Sequence, residues 1–169
     1  ITTNKTRVIS RNQQMMRLDA EITTDLEKNE EETLLKEINH FIQVNDPDVI
    51  IFEDYNKGVL TERVIHEAIA LCKKAGVVTA VDPKRRNFFA YTDIDIFKPN
   101  LKELKEGLKV EFDVKKEDEL RTVVTQLRNE LNAKGAFVTL SERGVYIDFQ
   151  DEKHRLSAHE REIADVSGA

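Results

Sequence analysis

The sequence predicts an α/β protein with a mostly parallel central sheet and helices on both faces. Apolar, strand-like runs at 48–52, 77–81 and 94–97 alternate with stretches in which apolar residues recur at helical spacing. This alternation is typical of β–α–β crossovers, which build parallel sheets. Each run ends in polar residues near a Gly or Pro, so we expect one edge of the sheet to carry a ligand site.

Before the first of these strands, a two-stranded ribbon is predicted. Residues 6–10 and 15–22 are β-prone, and a polar stretch separates them. Their apolar and polar residues alternate poorly. The cations along the ribbon are Lys5, Arg7, Arg11 and Arg17. Because an isolated ribbon is only marginally stable, we expect it to pack on a partner subunit or to form a lid. The alternative is an ordinary edge hairpin with solvated charges.

Two helices are predicted to flank the first strand. The first would begin with Asn29 as its cap, followed by three glutamates that suit the positive end of the helix dipole, and would end at 46–47. Its inward face would contain Leu34, Ile38, Phe41 and Ile42. The second would run from Thr61 to a stop at Gly76. Its inward face would contain Val64, Ala68, Leu71, Cys72 and Ala75.

The second half of the chain is predicted to hold two more helices and a hairpin. A short helix would start at Asn100, directly after Pro99 ends the third strand. A longer helix would start near Glu117. Its inward face would contain Leu120, Val123, Val124, Leu127 and Leu131. Residues 136–149 would form an antiparallel hairpin at the edge of the sheet, turning through 141–144.

The composition of the chain argues against several classes of protein. A chain of 169 residues that is 40% hydrophobic and 34% charged fits one soluble globular domain. The net charge of −6 argues against a general nucleic-acid binder, and no apolar run reaches the roughly 20 residues of a membrane helix. The single cysteine, Cys72, excludes an intrachain disulfide, and no secretion signal is visible, so we expect a cytoplasmic location. Because the chain starts at Ile1 and stops in a loop-like stretch at Ala169, we expect a partial domain truncated at both ends.

The most informative polar pair follows the third strand. Asn100 and Glu103 stand three residues apart at a predicted helix start, a spacing typical of a capping pair that satisfies free backbone donors. The alternative is that this amide and carboxylate face a metal–phosphate group, with Glu103 acting through magnesium-bound water. The spacing alone favours the capping interpretation.

The other strand ends are individually weak signals. Lys84 follows a buried strand and could act as a point charge for a transferring phosphoryl group, although such lysines are more often solvated. Lys57 lies in a turn that is unremarkable by itself. Residues 139–144 fit either a hairpin whose glycine has a positive φ or the wall of a nucleotide site. Residues 165–169 fit either a loose terminus or a cradle of backbone N–H groups for an anion.

Together, these segments resemble the ribokinase-like (PfkB) carbohydrate kinases over essentially the whole chain. The segments that carry the resemblance are 5–14, 17–19, 54–58, 82–84, 99–103, 139–144 and 165–169. Within segment 5–14, residues 10–14 (Ser-Arg-Asn-Gln-Gln) are the most specific and point to the D-glycero-β-D-manno-heptose 7-phosphate kinase branch. The resemblance implies a three-layer fold in which residues 5–22 form a lid ribbon and residues 29–169 form the α/β core.

The resemblance also implies an activity and roles for residues. The activity would be ATP-dependent phosphorylation of D-glycero-D-manno-heptose 7-phosphate at its anomeric hydroxyl, a step toward the lipopolysaccharide core. Asn100 and Glu103 would hold Mg²⁺, and the lid ribbon would form a homodimer. The implied ATP-binding residues are Asn100, Leu101, Lys102, Glu103, Thr139, Ser141, Gly144 and Lys57. The implied catalytic residues are Lys84, Gly168 and Ala169, and the implied sugar-binding residues are Arg11 and Asn12.

The sequence also departs from the family pattern. The catalytic Asp of the family would follow Ala169, and its Gly-rich N-terminal segment is missing, so we expect this segment alone to be inactive. Glu53 stands where heptose kinases usually have Ser, and the resemblance gives no role to Arg85 and Arg86. Three alternatives stay open: another ribokinase-like sugar or nucleoside kinase, a nucleotide-binding module without transfer activity, and an assembly fragment that works through the ribbon.

Overall fold

The computed structural model describes residues 4–11 and 13–158, which form two separate sheets. The first sheet is an antiparallel ribbon of β1 (Asn4–Ser10) and β2 (Gln13–Ala20). The second has six strands in chain order: β3 (Val49–Glu53), β4 (Val78–Asp82), β5 (Ile96–Phe97), β6 (Gly135–Thr139), β7 (Val145–Phe149) and β8 (Glu152–Leu156). Strands β3 to β6 are parallel, whereas β7 and β8 are antiparallel additions. The predicted fold class, with its separate two-stranded ribbon and antiparallel edge hairpin, is confirmed.

Within the described ranges, four α-helices connect or precede the parallel strands. They are α1 (Lys28–Asn45), α2 (Glu62–Ala75), α3 (Leu101–Leu108) and α4 (Glu117–Leu131). The predicted caps of α2 are correct, because the Thr61 hydroxyl accepts a hydrogen bond from the Val64 N–H at 3.2 Å and Gly76 ends the helix with φ of 74°. The predicted cap of α1 at Asn29 is wrong. That helix starts after Glu27, whose N–H donates to the Glu30 carboxylate at 2.8 Å.

The inward faces of the helices set the position of the core. All five predicted residues of α4 are buried, and Cys72 of α2 is fully buried as well. The predicted face of α1 is partly wrong, because Leu35 and Ile42 are buried whereas Phe41 is 51% exposed. One residue rotates the chain by about 100° around a helix axis, so Phe41 turns toward solvent next to the inward Ile42. Ala75, in the last turn of α2, is also exposed rather than inward.

The core itself lies between the sheet and these helices. Its largest fully buried side chains include Tyr91, Phe97, Leu104 and Leu140. Phe97 of the two-residue strand β5 meets Phe88 edge to face, with ring centroids 5.0 Å apart. This packing holds β5 in the centre of the sheet even though Pro99 keeps it short. None of the helices in the described ranges has the length and apolarity to cross a bilayer.

The strand register of the ribbon places apolar and charged side chains on opposite faces. Thr6 and Val8 of β1 lie opposite Leu18 and Met16 of β2, whereas the charged pairs are Lys5 with Asp19 and Arg7 with Arg17. Residues directly opposite in an antiparallel pair share a face, so one face is largely apolar and the other is charged. A bulge between Val8 and Ile9 shifts the register near the turn. This bulge explains why apolar and polar residues alternate poorly along the sequence of the ribbon.

The ribbon is tethered to the core where it meets the carboxyl end of β3. The Leu26 N–H donates to the Gly58 carbonyl at 3.0 Å. Lys57 pairs with Glu21, and Arg86 pairs with Asp25. These contacts link the connection between β2 and α1 to two loops of the core. They also show what Arg86 does in this structure, a residue for which the family resemblance gave no role.

Gly58 is expected to be intolerant of a side chain because of this close backbone approach. A Cβ at Gly58 would lie 1.9 Å from the Thr24 carbonyl oxygen, and the residue has φ of 80°. Gly76 is a matched control, because it has φ of 74° but nothing within 4 Å of an added Cβ. We expect Gly58→Ala to lower the free energy of unfolding by about 3 kcal/mol or more, against about 1 kcal/mol for Gly76→Ala. Urea unfolding of both variants measures this, and equal losses would contradict the proposed backbone clash.

Candidate functional site

Four charged side chains meet where β4, β5 and α3 come together. Lys84 Nζ lies 2.7 Å from Glu103 Oε1 and 3.3 Å from Asp82 Oδ1, and Lys98 Nζ lies 2.8 Å from Asp82 Oδ2. We call Asp82, Lys84, Lys98 and Glu103 the lysine–carboxylate cluster. Its residues lie at the carboxyl ends of two parallel strands and in the first turn of a helix, the edge at which α/β sheets bind ligands.

Backbone contacts hold the strand ends of this edge together. The Lys98 N–H donates to the Val81 carbonyl at 2.9 Å, which keeps the exit of β5 beside β4. The Thr139 N–H donates to the Pro99 carbonyl at 3.0 Å, and Asn100 forms a parallel bridge with Thr139. Three neighbouring strand ends therefore converge, and the side chains that follow them share one site.

The neighbours of Lys84 and Asp82 shift the pKa values of these two residues toward their charged forms. Partial burial by itself lowers the pKa of Lys84, but the hydrogen bond and charge of Glu103, together with Asp82, outweigh burial and raise that pKa above its ordinary value. Partial burial likewise raises the pKa of Asp82, but Lys98 and Lys84 outweigh it and hold the pKa below its ordinary value. The shifts of Asp82 and Lys84 therefore both favour the charged form of the group.

Asn100 and Glu103 form the capping pair that their spacing indicates. The Glu103 N–H donates to Asn100 Oδ1 and the Asn100 N–H donates to Glu103 Oε2, both at 2.9 Å. The other oxygen of Glu103 accepts from Lys84. Both carboxylate oxygens are thus engaged, although each retains a lone pair. Capping and a ligand-binding role are compatible in this geometry, and the capping contacts fix the orientation of the carboxylate.

The residues fit Mg²⁺ held largely by water and phosphate. In the described part of the chain, no three His, Cys, Asp or Glu side chains cluster as a ready-made metal cage. Mg²⁺ usually retains several waters and uses one or two carboxylates together with substrate phosphates. Glu103, with a side chain 13% exposed and both oxygens hydrogen-bonded, suits contact through a metal-bound water.

A groove of about 1350 Å³ opens beside the cluster, between the start of α3 and the turn that joins β6 to β7. Six of the predicted ATP-binding residues line it: Asn100, Leu101, Lys102, Thr139, Ser141 and Gly144. Gly144 has φ of 83°, as the hairpin prediction requires, and a Cβ there would lie 1.8 Å from the Leu156 carbonyl oxygen. Leu156 and Ala158 line the far wall. Sequence reasoning missed that wall because nothing local in β8 marks it as part of a site.

The remaining predicted site residues lie elsewhere. Lys57 does not line the groove; it pairs with Glu21 at the base of the ribbon and lines a smaller cavity beside β3. Arg11 is exposed at the turn of the ribbon, with φ of 47°. Asn12, Gly168 and Ala169 lie outside the described residues. Lys98 joins the cluster without having been predicted, and its place directly before Pro99 and Asn100 was the available signal.

The fold is ribokinase-like. The structure superimposes on Escherichia coli phosphofructokinase-2 in complex with fructose-6-phosphate with a TM-score of 0.69 and 17% identity, covering 98% of this chain and 53% of that chain. Arabidopsis thaliana ribokinase complexed with ribose and ATP matches with a TM-score of 0.56 and 13% identity, covering 84% of this chain and 44% of that chain. At these identities the likeness concerns the fold alone.

The family follows from the sequence match. The chain matches the model of the pfkB family carbohydrate kinases over residues 2–169, and it belongs to this family. It is 35% identical over 168 residues to the bifunctional protein HldE of a Nitratiruptor species, covering 99% of this chain and 34% of that protein. It is 34% identical over 170 residues to the HldE protein of Mesorhizobium japonicum, covering 100% of this chain and 33% of that protein. The chain thus spans about a third of the length of these relatives.

Proposed function

We propose that this chain is part of an ATP-dependent sugar kinase that phosphorylates D-glycero-D-manno-heptose 7-phosphate at its anomeric hydroxyl. The observation that carries the kinase proposal is the lysine–carboxylate cluster, whose Glu103 is hydrogen-bonded to Asn100 in the wall of a groove lined by six of the predicted ATP-binding residues. Membership of a carbohydrate kinase family supports the reaction class. The choice of acceptor rests on the resemblance of residues 5–14 to the heptose kinase branch.

In phosphoryl transfer, the protein mainly positions the two reactants and stabilises negative charge. The acceptor hydroxyl must lie in line with the γ-phosphate, and the negative charge of the transferring group must be stabilised. Leu140, Val145 and Leu156 give the groove an apolar wall suited to a nucleobase. Lys84 contacts Glu103, the capping partner of Asn100 in the groove wall, so its ammonium group would stabilise charge on the phosphates.

Asn100 and Glu103 are the residues that would hold Mg²⁺ in this proposal. A divalent cation held there would supply charge neutralisation for the phosphates. The capping hydrogen bonds keep the Glu103 carboxylate fixed before the nucleotide binds. Gly168 and Ala169 are proposed to contribute backbone N–H groups to the transferring phosphoryl group.

The acceptor is tested with the full-length protein. Initial rates with ATP and Mg²⁺ would be compared for heptose 7-phosphate, the unphosphorylated heptose, fructose 6-phosphate and ribose. We expect kcat/KM to be highest for heptose 7-phosphate. A preference for an unphosphorylated sugar would refute the heptose assignment, and nucleotide binding without any transfer would refute the kinase proposal.

The apolar face of the ribbon is proposed to form a homodimer. Val8, Met16 and Leu18 share this face and are 44%, 51% and 55% exposed, which leaves a hydrophobic stripe without a cover among the described residues. We expect Leu18→Glu to raise the dimer dissociation constant at least about 100-fold, because an unpaired carboxylate would be buried at the contact. Gln13→Glu, at the turn end of the ribbon, is the control that adds the same charge. Sedimentation equilibrium of the full-length protein measures both, and an unchanged Leu18→Glu dimer would contradict the interface.

A further inference from the structure

Asp82 divides its two oxygens between two lysines. Oδ1 accepts from Lys84 at 3.3 Å and Oδ2 accepts from Lys98 at 2.8 Å, so one carboxylate stands between two ammonium groups. The two lysines differ in their other contacts. Lys84 also pairs with Glu103, whereas Asp82 is the one carboxylate within 4 Å of Lys98 in the part of the chain that the structure describes.

Lys98 also has the freedom and the position to meet a bound anion. Its side chain is 43% exposed, and its backbone is fixed by the hydrogen bond to Val81 and by the proline that follows. Asn100, two residues further on, lines the groove. A flexible ammonium on a fixed backbone, with one half-buried carboxylate as partner, can exchange that carboxylate for a phosphate oxygen.

We propose that Lys98 is a second phosphate-binding cation of the nucleotide site, and that Asp82 is a positioning residue that holds Lys84 and Lys98 in place before nucleotide binds. This inference rests on the proposed kinase function, because it assumes that the groove takes a nucleotide. On binding, the phosphates take over ammonium contacts that Asp82 holds in the free protein. Asp82 therefore competes with the phosphates for both lysines while keeping the two ammonium groups close together at the carboxyl ends of β4 and β5.

The two residues should consequently respond to substitution in opposite directions. Lys98→Gln removes a charge-assisted hydrogen bond to phosphate, so the dissociation constant for MgADP should rise about 10- to 100-fold. Asp82→Asn removes a competing negative charge, so MgADP should bind about two- to fivefold more tightly. The same Asp82→Asn variant should lose about tenfold or more in kcat, because its lysines are no longer held in the orientation that transfer needs.

The test is calorimetric titration of MgADP into the full-length protein, with kcat and KM for ATP measured on the same samples. Lys74→Gln is the matched charge control, since Lys74 is exposed in the last turn of α2, where the chain enters the opposite edge of the sheet. Its MgADP affinity should equal that of the unaltered protein. Lys98→Arg, which keeps the charge, should recover most of the affinity lost in Lys98→Gln.

Taken together, the outcomes distinguish a failure of this inference from a failure of the kinase proposal. If the unaltered protein does not bind MgADP, the kinase proposal and this inference both fail. If it binds MgADP and Lys98→Gln binds equally well, the second cation is refuted while the kinase proposal stands. A purely structural role for Asp82 predicts weaker MgADP binding together with a lower melting temperature. Tighter binding with reduced kcat at an unchanged melting temperature supports the positioning role.

Discussion

Replacing Lys84 with alanine in the full-length protein is expected to lower kcat about 10²-fold or more. The ammonium of Lys84 lies 2.7 Å from Glu103 and 3.3 Å from Asp82, in the loop that follows β4. Removing it would delete a fixed positive charge close to the proposed path of the phosphoryl group. It would also leave the two carboxylates uncompensated on one side, so the site would repel phosphate more strongly.

Two further variants distinguish the effect of the lost charge from an effect on the fold. Lys84→Arg keeps the charge and the contacts to both carboxylates, so it should retain more activity than the alanine variant. Lys74→Ala, outside the site, should behave like the unaltered protein. Urea unfolding of each variant checks that the fold persists. A Lys84→Ala variant that keeps its full turnover would show that the catalytic role given to Lys84 is wrong.

The parallel sheet and the long helices could be predicted from the sequence because local patterns decide them. The apolar stripe of α4 recurs at helical spacing along the helix, and all five of its predicted residues are buried. Thr61 and Gly76 mark the ends of α2 through cap chemistry that is local as well. The inward face of α1 could not be predicted fully from the sequence. Leu34 and Leu35 are adjacent, and only packing decides which of them turns inward.

The partners of charged side chains could not be predicted, because they depend on which loops the fold brings together. Lys57 and Lys84 follow strands in similar loops, yet one pairs with Glu21 of the ribbon connection and the other with Glu103 of α3. Lys98 directly precedes Pro99 and Asn100, but its carboxylate partner is Asp82, sixteen residues away in sequence. The faces of the ribbon also depend on register, which a bulge obscured.

The most destabilising single substitution we expect is at Asp148 of β7. Its side chain is fully buried, pairs with Arg128 of α4, and lies 3.4 Å from the Thr125 hydroxyl and 3.8 Å from Lys153 Nζ. Asp148→Ala would leave the Arg128 guanidinium, only 19% exposed, without its closest carboxylate. Removing one partner of a buried ion pair typically costs about 3–5 kcal/mol, so the free energy of unfolding should fall by that amount.

A double substitution shows whether the loss of stability comes from the unpaired charge of Arg128. Asp148→Leu combined with Arg128→Met removes both charges and keeps an apolar contact between β7 and α4, so it should recover most of the stability lost in Asp148→Ala. Guanidinium unfolding of the single and double variants measures the difference. If the double variant is as unstable as the single one, the hydrogen bonds of Asp148 are what stabilise this edge. Because β7 and β8 build the far wall of the groove, either result also shows how firmly that wall is attached to the parallel sheet.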